Sequence, residues 1–172
     1  MSRSERFVAG LAFAAVLVLI PIAIQAHGNE QATVKAKIGD ANVTIQYARP
    51  TLKGRDLSKM IQPGKLWRIG ADIPTTIESD QDLDFGGTRV PKGKHILLAR
   101  YVEAGQWTLV VSSQPIFQYE PSAKLAEVPM RITPAGSPVE ELTINLSNEG
   151  GRGVIDISWG TEQLQASFAP GK

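Results

Sequence analysis

The sequence predicts an all-β protein, and three observations lead to that prediction. Past residue 26 the chain consists of short runs of alternating or β-branched residues, separated by turns rich in Gly, Pro and Asp. No window holds a helical period over several turns. About nine or ten strands, with turn signals at short intervals, favour an antiparallel β-sandwich, and an open barrel is the second choice.

Three runs show most clearly the alternation of a strand with one buried face. Their apolar positions are Val43, Ile45 and Tyr47; Ile155, Ile157 and Trp159; and Leu164, Ala166 and Phe168. Turn residues separate the runs and are expected to join successive strands as hairpins. These turn signals are Gly86-Gly87, Pro91-Lys92-Gly93, Ala104-Gly105 and Gly160-Thr161.

Residues 1–26 are predicted to form a secretory signal peptide with a helical apolar segment. Arg3 and Arg6 precede an apolar run over residues 7–24, and Ala26 offers a small residue at a cleavage point. An uncleaved membrane anchor is the alternative, because the run is close to the length that spans a bilayer. We therefore expect an exported protein, periplasmic or secreted, that contacts a membrane only through this segment if it is not cleaved.

The remaining chain, residues 27–172, is expected to form a single domain. The full chain has 18 basic and 17 acidic residues. Loss of Arg3, Arg6 and Glu5 leaves 16 of each, so the mature chain is neutral and has no general attraction to nucleic acid. Because there is no cysteine, a thiol nucleophile, a thiolate zinc site and a lipoprotein anchor are excluded.

The segment from Arg49 to Pro74 interrupts the strand pattern and is predicted to be one long irregular loop. Loops of this length in compact domains are often functional. Guanidinium groups suit carboxylates or phosphates, and Trp67 could stack on a sugar, so an anionic or carbohydrate-like ligand is chemically reasonable. In the alternative interpretation Trp67 covers the core while Arg68 pairs with Asp72 or Glu78. The loop has six basic and two acidic residues, namely Arg49, Lys53, Arg55, Lys59, Lys65 and Arg68 against Asp56 and Asp72.

The runs YARPTLKGR, PGKLWRIGAD, TTIE, FGGTRVPKGKH and QWTLVV resemble, in order and spacing, the bacterial family called domain of unknown function 2911. The resemblance implies exported, compact, β-rich proteins with no established activity. The chain departs from the family pattern at Asp72-Ile73-Pro74 and at His95. The candidate ligand-binding residues are Tyr47, Arg49, Lys53, Arg55, Trp67, Arg68, Asp72, Thr75 and Thr76.

A copper site is a second hypothesis. Cleavage after Ala26 would make His27 the mature N-terminus, and the chain has one other histidine, His95. The N-terminal amine and two imidazoles would supply three nitrogen ligands, a set that suits copper. This arrangement resembles in its chemistry the histidine brace of lytic polysaccharide monooxygenases. A chance pair of surface histidines is the alternative.

The sequence does not favour an enzyme. It contains no Gly-x-Ser-x-Gly nucleophile motif, no phosphate-binding glycine loop and no marked acid–base pair. The leading prediction is an exported β-sandwich that binds a small anionic or carbohydrate-like ligand through its basic and aromatic loop. A copper oxidase or carrier and a structural protein with a partner in the cell envelope are the alternatives.

Overall fold

The computed structural model describes residues 28–55, 60–103 and 105–171. This part of the chain contains ten strands and two short 3-10 turns, Ile116–Gln118 and Pro121–Ala123. All strand pairs are antiparallel. The strands are β1 (Glu30–Ile38), β2 (Ala41–Arg49), β3 (Leu66–Trp67), β4 (Thr76–Ser79), β5 (Leu83–Phe85), β6 (Thr88–Val90), β7 (Gly93–Glu103), β8 (Gln106–Ser112), β9 (Lys124–Glu149) and β10 (Arg152–Pro170).

The strands form one sheet in the order β1-β2-β4-β7-β8-β9-β10-β5-β6, and β3 pairs with β7. Strand β9 joins the two halves of this sheet. Its first part pairs with β8 as far as Met130, opposite Trp107, and its remainder pairs with β10 from Arg131 onward. The sheet thereby folds over a core shared by its two halves and does not close into a barrel, so the predicted sandwich is confirmed.

The predicted alternation is confirmed, because all nine apolar positions of the three diagnostic runs are buried in a common core. In β2, for example, Ile45 is buried whereas Gln46 is exposed. Side chains of β7 and β8 also alternate. Leu97 and Leu109 belong to the shared core, whereas Leu98 and Val110 are buried on the other face of the sheet. We call the face of the sheet toward the shared core the inner face, and the opposite face the outer face.

Two of the expected hairpins are not hairpins. Strand β10 continues through Gly160 and Thr161, with register shifts on both sides of Gly160. Gly160 has φ +73°, a conformation that serves a β-bulge as readily as a turn. The turn at Pro91-Lys92-Gly93 connects β6 to β7, which lie in different parts of the sheet and do not pair.

The predicted signal peptide, residues 1–26, lies outside the described residues. In the described ranges, no helix has the length and hydropathy that are needed to cross a membrane.

Candidate functional site

The first part of the predicted loop is fastened to strand β9. Beyond Met130 this strand no longer pairs with β8, so its backbone groups on that side need other partners. The phenol oxygen of Tyr47 accepts a hydrogen bond from the amide of Ile144 (3.0 Å). The amide of Leu142 donates to the carbonyl of Pro50 (3.0 Å). The segment after β2 therefore serves as the missing neighbour of β9.

Arg49 takes part in the same attachment. Its Nε donates to the carbonyl of Leu142 (3.5 Å), and its guanidinium pairs with Glu141 (3.1 Å) and Glu30 (3.6 Å). Tyr47 is 3% exposed and Arg49 only partly exposed. Both were predicted to bind ligand, and the structure places both in contacts that hold the fold.

Lys53 and Arg55 lie at the exposed end of this segment. The backbone amide of Lys53 donates to Glu140 (2.7 Å), which holds the turn at its left-handed φ of +50°. The Arg55 guanidinium donates to the carbonyls of Thr51 (2.6 Å) and Leu52 (2.8 Å). Two bonds to main-chain oxygens fix the position of this exposed charge.

Trp67 and Arg68 were predicted to form one surface, and the structure separates them. Trp67 pairs with Ala99 at the end of β3, and its side chain enters the inner face. Arg68, the next residue, lies on the outer face, with its guanidinium 6.0 Å from the centre of the Phe117 ring. Neighbouring side chains of an extended chain point to opposite sides, so the predicted basic and aromatic surface is divided in two.

The inner surface is an open cleft of about 360 Å³ at one end of the sandwich. All three tryptophans of the chain line it. Trp67 stacks on Trp159, with ring centres 5.8 Å apart and planes at 9°, and meets Trp107 edge-on at 6.0 Å. Tyr101 packs against Trp107 at 4.9 Å. We call these four residues, with the rim residues Arg55, Pro138, Thr161 and Glu162, the aromatic cleft.

The cleft offers both apolar surface and polar groups. The indole N–H of Trp159 donates to the carbonyl of Glu140 (3.1 Å). The indole N–H of Trp107 has no acceptor among the described residues, and none of their buried polar side-chain atoms lacks a partner. The rim has opposite charges at Arg55 and Glu162, and the bulge at Gly160 shapes its edge.

The second surface is a groove of about 200 Å³ on the outer face. Ile96 and Leu98 of β7 form its floor, and Phe117, on the first 3-10 turn, is 86% exposed beside it. Arg68 and Asp72 stand on the opposite wall with Ile73 and Pro74. We call this surface the outer groove; its lining residues are Arg68, Asp72–Thr75, Ile96, Leu98 and Pro115–Gln118.

Asp72 is held by Asn29, which precedes β1. Its Oδ2 accepts from the backbone amide (2.7 Å) and the side-chain amide (2.9 Å) of Asn29. These two bonds, with a smaller contribution from the charge of Arg68, hold the pKa of Asp72 below its usual range. Asp72 is therefore a carboxylate at neutral pH.

Thr75 and Thr76 fix the backbone behind the groove. Thr75 is fully buried, and its hydroxyl donates to the carbonyl of Ile69 (2.5 Å). Ile69 has φ +47°, a costly conformation for a β-branched residue. At Gly70 an added Cβ would lie 3.0 Å from the Thr75 hydroxyl. Thr76, a buried residue at the start of β4, pairs with Ile96. Both threonines were predicted to bind ligand, and the structure places both in buried positions.

The copper hypothesis depends on His27, which lies outside the described residues, so it stays a prediction. His95 lies on β7 with its Nε2 2.7 Å from the carbonyl of Pro91. It shares a cross-strand row with Ile77, Ile45 and Val34. Within the described ranges, no three His, Asp or Glu side chains are grouped so that they could hold a metal.

Sequence reasoning missed several residues of both surfaces. Trp107 and Trp159 were recognised only as strand residues, and Tyr101, Glu162 and Phe117 were not singled out. The three tryptophans come from β3, β8 and β10, and only the pairing of distant strands brings them together. The presence of three tryptophans in a short chain was the one available indication of an aromatic site, and it did not show where the tryptophans meet.

Comparisons with known proteins agree with the resemblance in the sequence motifs. Neither a curated protein nor a solved structure shows a significant match to the chain. A family model described as "Protein of unknown function (DUF2911)" matches residues 29–168, which include every residue that lines the aromatic cleft. The predicted membership is confirmed, and the chain belongs to this family of domains of unknown function.

Proposed function

We propose that the protein is an exported binding domain whose aromatic cleft holds a small carbohydrate-like ligand with an acidic group. The observation that carries the proposal is the convergence of Trp67, Trp107 and Trp159, with Tyr101, on one open cleft. Its volume lies within the range of about 300 to 1,000 Å³ that is typical of small-molecule sites.

The lining residues support this class of ligand. Aromatic rings offer flat apolar surface to the C–H face of a sugar ring. The indole N–H of Trp107 would donate to a hydroxyl or carboxylate oxygen of the ligand, and Glu162 would accept from a hydroxyl. Arg55, already oriented by Thr51 and Leu52, would receive the acidic group of the ligand.

Fluorescence titration tests the proposal directly, because all three tryptophans line the cleft. The probes are glucuronic acid and its oligomers, with glucose and its oligomers as neutral counterparts. We expect the acidic sugars to change the emission. A ligand at a hundred times its Kd should also stabilise the fold by about 2.7 kcal/mol in a thermal-shift measurement.

The variant Arg55→Gln tests recognition of the acidic group of the ligand separately from recognition of its sugar ring. A hydrogen bond to a charged group contributes about 1.5 to 3 kcal/mol, so this variant should raise the Kd for acidic sugars at least about tenfold and leave neutral sugars unaffected. Arg131→Gln is the matched control, because Arg131 lies on β9 with a hydrogen bond to Gln165 and does not line the cleft. Silence toward every sugar, or equal losses in both variants, would contradict the proposal.

A further inference from the structure

We infer that the outer groove is a docking surface for a protein partner, which lays an extended segment across it and inserts one apolar side chain beside Phe117. The aromatic cleft and this groove lie on opposite faces of the sheet. The inference is therefore independent of the proposed sugar site.

The size of the groove favours a single side chain over a free small molecule. Its volume of about 200 Å³ is below the lower end, about 300 Å³, of typical small-molecule sites. Its floor is apolar, with Ile96 and Leu98 from the sheet, and Ile116 and Ile73 stand on its walls. Apolar pockets that receive one anchor residue are typical of protein interfaces.

The exposed residues at the groove are of the types that carry binding energy in interfaces. Phe117 is 86% exposed, more than the other exposed large apolar residues of the described chain, Met60 at 47% and Val102 at 40%. The Arg68 guanidinium lies over its ring. Aromatic residues and arginine are enriched in interface centres, and a large exposed apolar residue beside an apolar groove marks a site of interaction.

The two charged residues of the groove, Arg68 and Asp72, favour a peptide backbone as the group that binds there. Both hydrogen bonds from Asn29 go to Oδ2 of Asp72, so among the described residues Oδ1 keeps its capacity to accept. Arg68 is close enough to Asp72 to help lower the pKa of that carboxyl. A donor and an acceptor on one wall match the carbonyl and the N–H of an extended backbone. Since their charges cancel, the partner segment needs an apolar anchor and no net charge.

Selection from a library of short random peptides displayed on phage tests this inference. The bait is the protein in the form in which a bacterial host produces it, and Phe117→Ser serves as the counter-bait. We expect the enriched peptides to share one large apolar residue, without a common charge, and to be lost on the counter-bait. Enrichment of peptides with no common apolar residue, or equal enrichment on both baits, would overturn the inference.

The enriched peptides are then labelled and titrated by fluorescence anisotropy. Phe117→Ser and Arg68→Ala should each raise the Kd at least about tenfold. Matched controls are Val102→Ser and Arg131→Ala, which remove apolar area and charge elsewhere on the surface and should change the Kd less than about twofold. Equal losses in the controls would count against the groove. Competition by free phenylacetate at similar concentration would show a small-molecule site instead, and would also overturn the inference.

Discussion

The aromatic cleft, which contains Trp67, and the outer groove, which contains Arg68, differ in how they are connected to the core. The aromatic cleft is continuous with the sandwich core, since Trp67 packs on Trp159 and Trp107, which are 5% and 9% exposed. The outer groove is laid on the sheet by a loop and a 3-10 turn. This comparison shows that the charge and aromatic content of a segment do not predict which of its side chains share one surface. The alternation of the backbone decides which residues can act together.

This comparison has a consequence for substitutions. In the cleft, an aromatic residue that contacts the ligand also packs the core, so its loss should reduce stability and binding together. In the groove, the exposed residues can be changed with little effect on stability. The first and last of the following predictions test this difference directly, and the two between them concern polar contacts elsewhere on the two faces; the largest expected effect comes first.

Trp159→Ala should have the largest effect. Removal of this buried ring leaves a cavity beside Trp67 and breaks the hydrogen bond to the carbonyl of Glu140. We expect a loss of about 3 to 5 kcal/mol in the free energy of unfolding, measured by urea denaturation. Phe117→Ala is the matched control, because it removes an 86% exposed ring of the outer groove and should cost no more than about 1 kcal/mol, the upper value for its cation–π contact with Arg68. Equal losses would contradict the distinction between the two surfaces.

Tyr47→Phe should reduce stability by about 1 to 3 kcal/mol, because it leaves the buried amide of Ile144 without its acceptor. The control is Tyr119→Phe on the outer face. Among the described residues, its hydroxyl accepts one long hydrogen bond, from Arg100 (3.5 Å), so its loss should have a smaller effect. Thermal unfolding of both variants measures the difference. A larger effect at Tyr119 would show that Tyr47 is not needed to hold β9.

Acid should weaken a polar network on the outer face through Glu127. Burial opposes ionisation of this residue, but hydrogen bonds from Lys124, Thr108 and Arg100 outweigh it and hold the pKa of the carboxyl below its usual range. A lowered pKa in the folded state contributes stability above the unfolded value of about 4.3, and this contribution is lost as the pH falls through the folded value.

Glu127→Gln tests this contribution. The variant should be less stable than the parent at pH 7, and the difference should shrink as the pH falls below about 4.3, because the carboxyl of the parent is then protonated. Asp72, Asp80 and Asp82 also have lowered pKa values, but they are present in both proteins and cancel in the comparison. Urea midpoints between pH 3 and pH 7 provide the measurement. A constant difference across this range would refute the role of Glu127.

Arg68→Ala should have the smallest effect on stability. Its described aromatic contact is a cation–π pair with an exposed ring, which contributes about 0.5 to 1 kcal/mol at most at such a site. We expect unchanged tryptophan emission, because the three tryptophans lie on the other face. A red shift of the emission would show that the two faces are coupled through the strained backbone at Ile69.

Much of the fold could be predicted because it depends on the local alternation of apolar and polar residues along each strand. Val43, Ile45 and Tyr47 are buried as the pattern requires, and the strand-rich class follows from such runs. The aromatic cleft could not be predicted, since it depends on register between distant strands, such as Tyr101 opposite Trp107. Gly160 shows a further ambiguity, because a glycine with positive φ can end a strand or bend it.

Strand β9 has a consequence for how the chain reaches this fold. It runs from Lys124 to Glu149, supplies a neighbour to β8 at one end and to β10 at the other, and is fastened to the segment after β2 in between. A chain that is synthesised from its N-terminus therefore cannot complete the first half of the sheet before β9 is made, or the second half before β10 is made. Such long-range pairing makes folding slow. Strands β1, β2, β4, β7 and β8 can pair with one another as they are made, but β8 lacks its neighbour β9, and β5 its neighbour β10, until late in synthesis. Protection of these two unpaired edges from other chains in that interval should therefore affect the yield of folded protein.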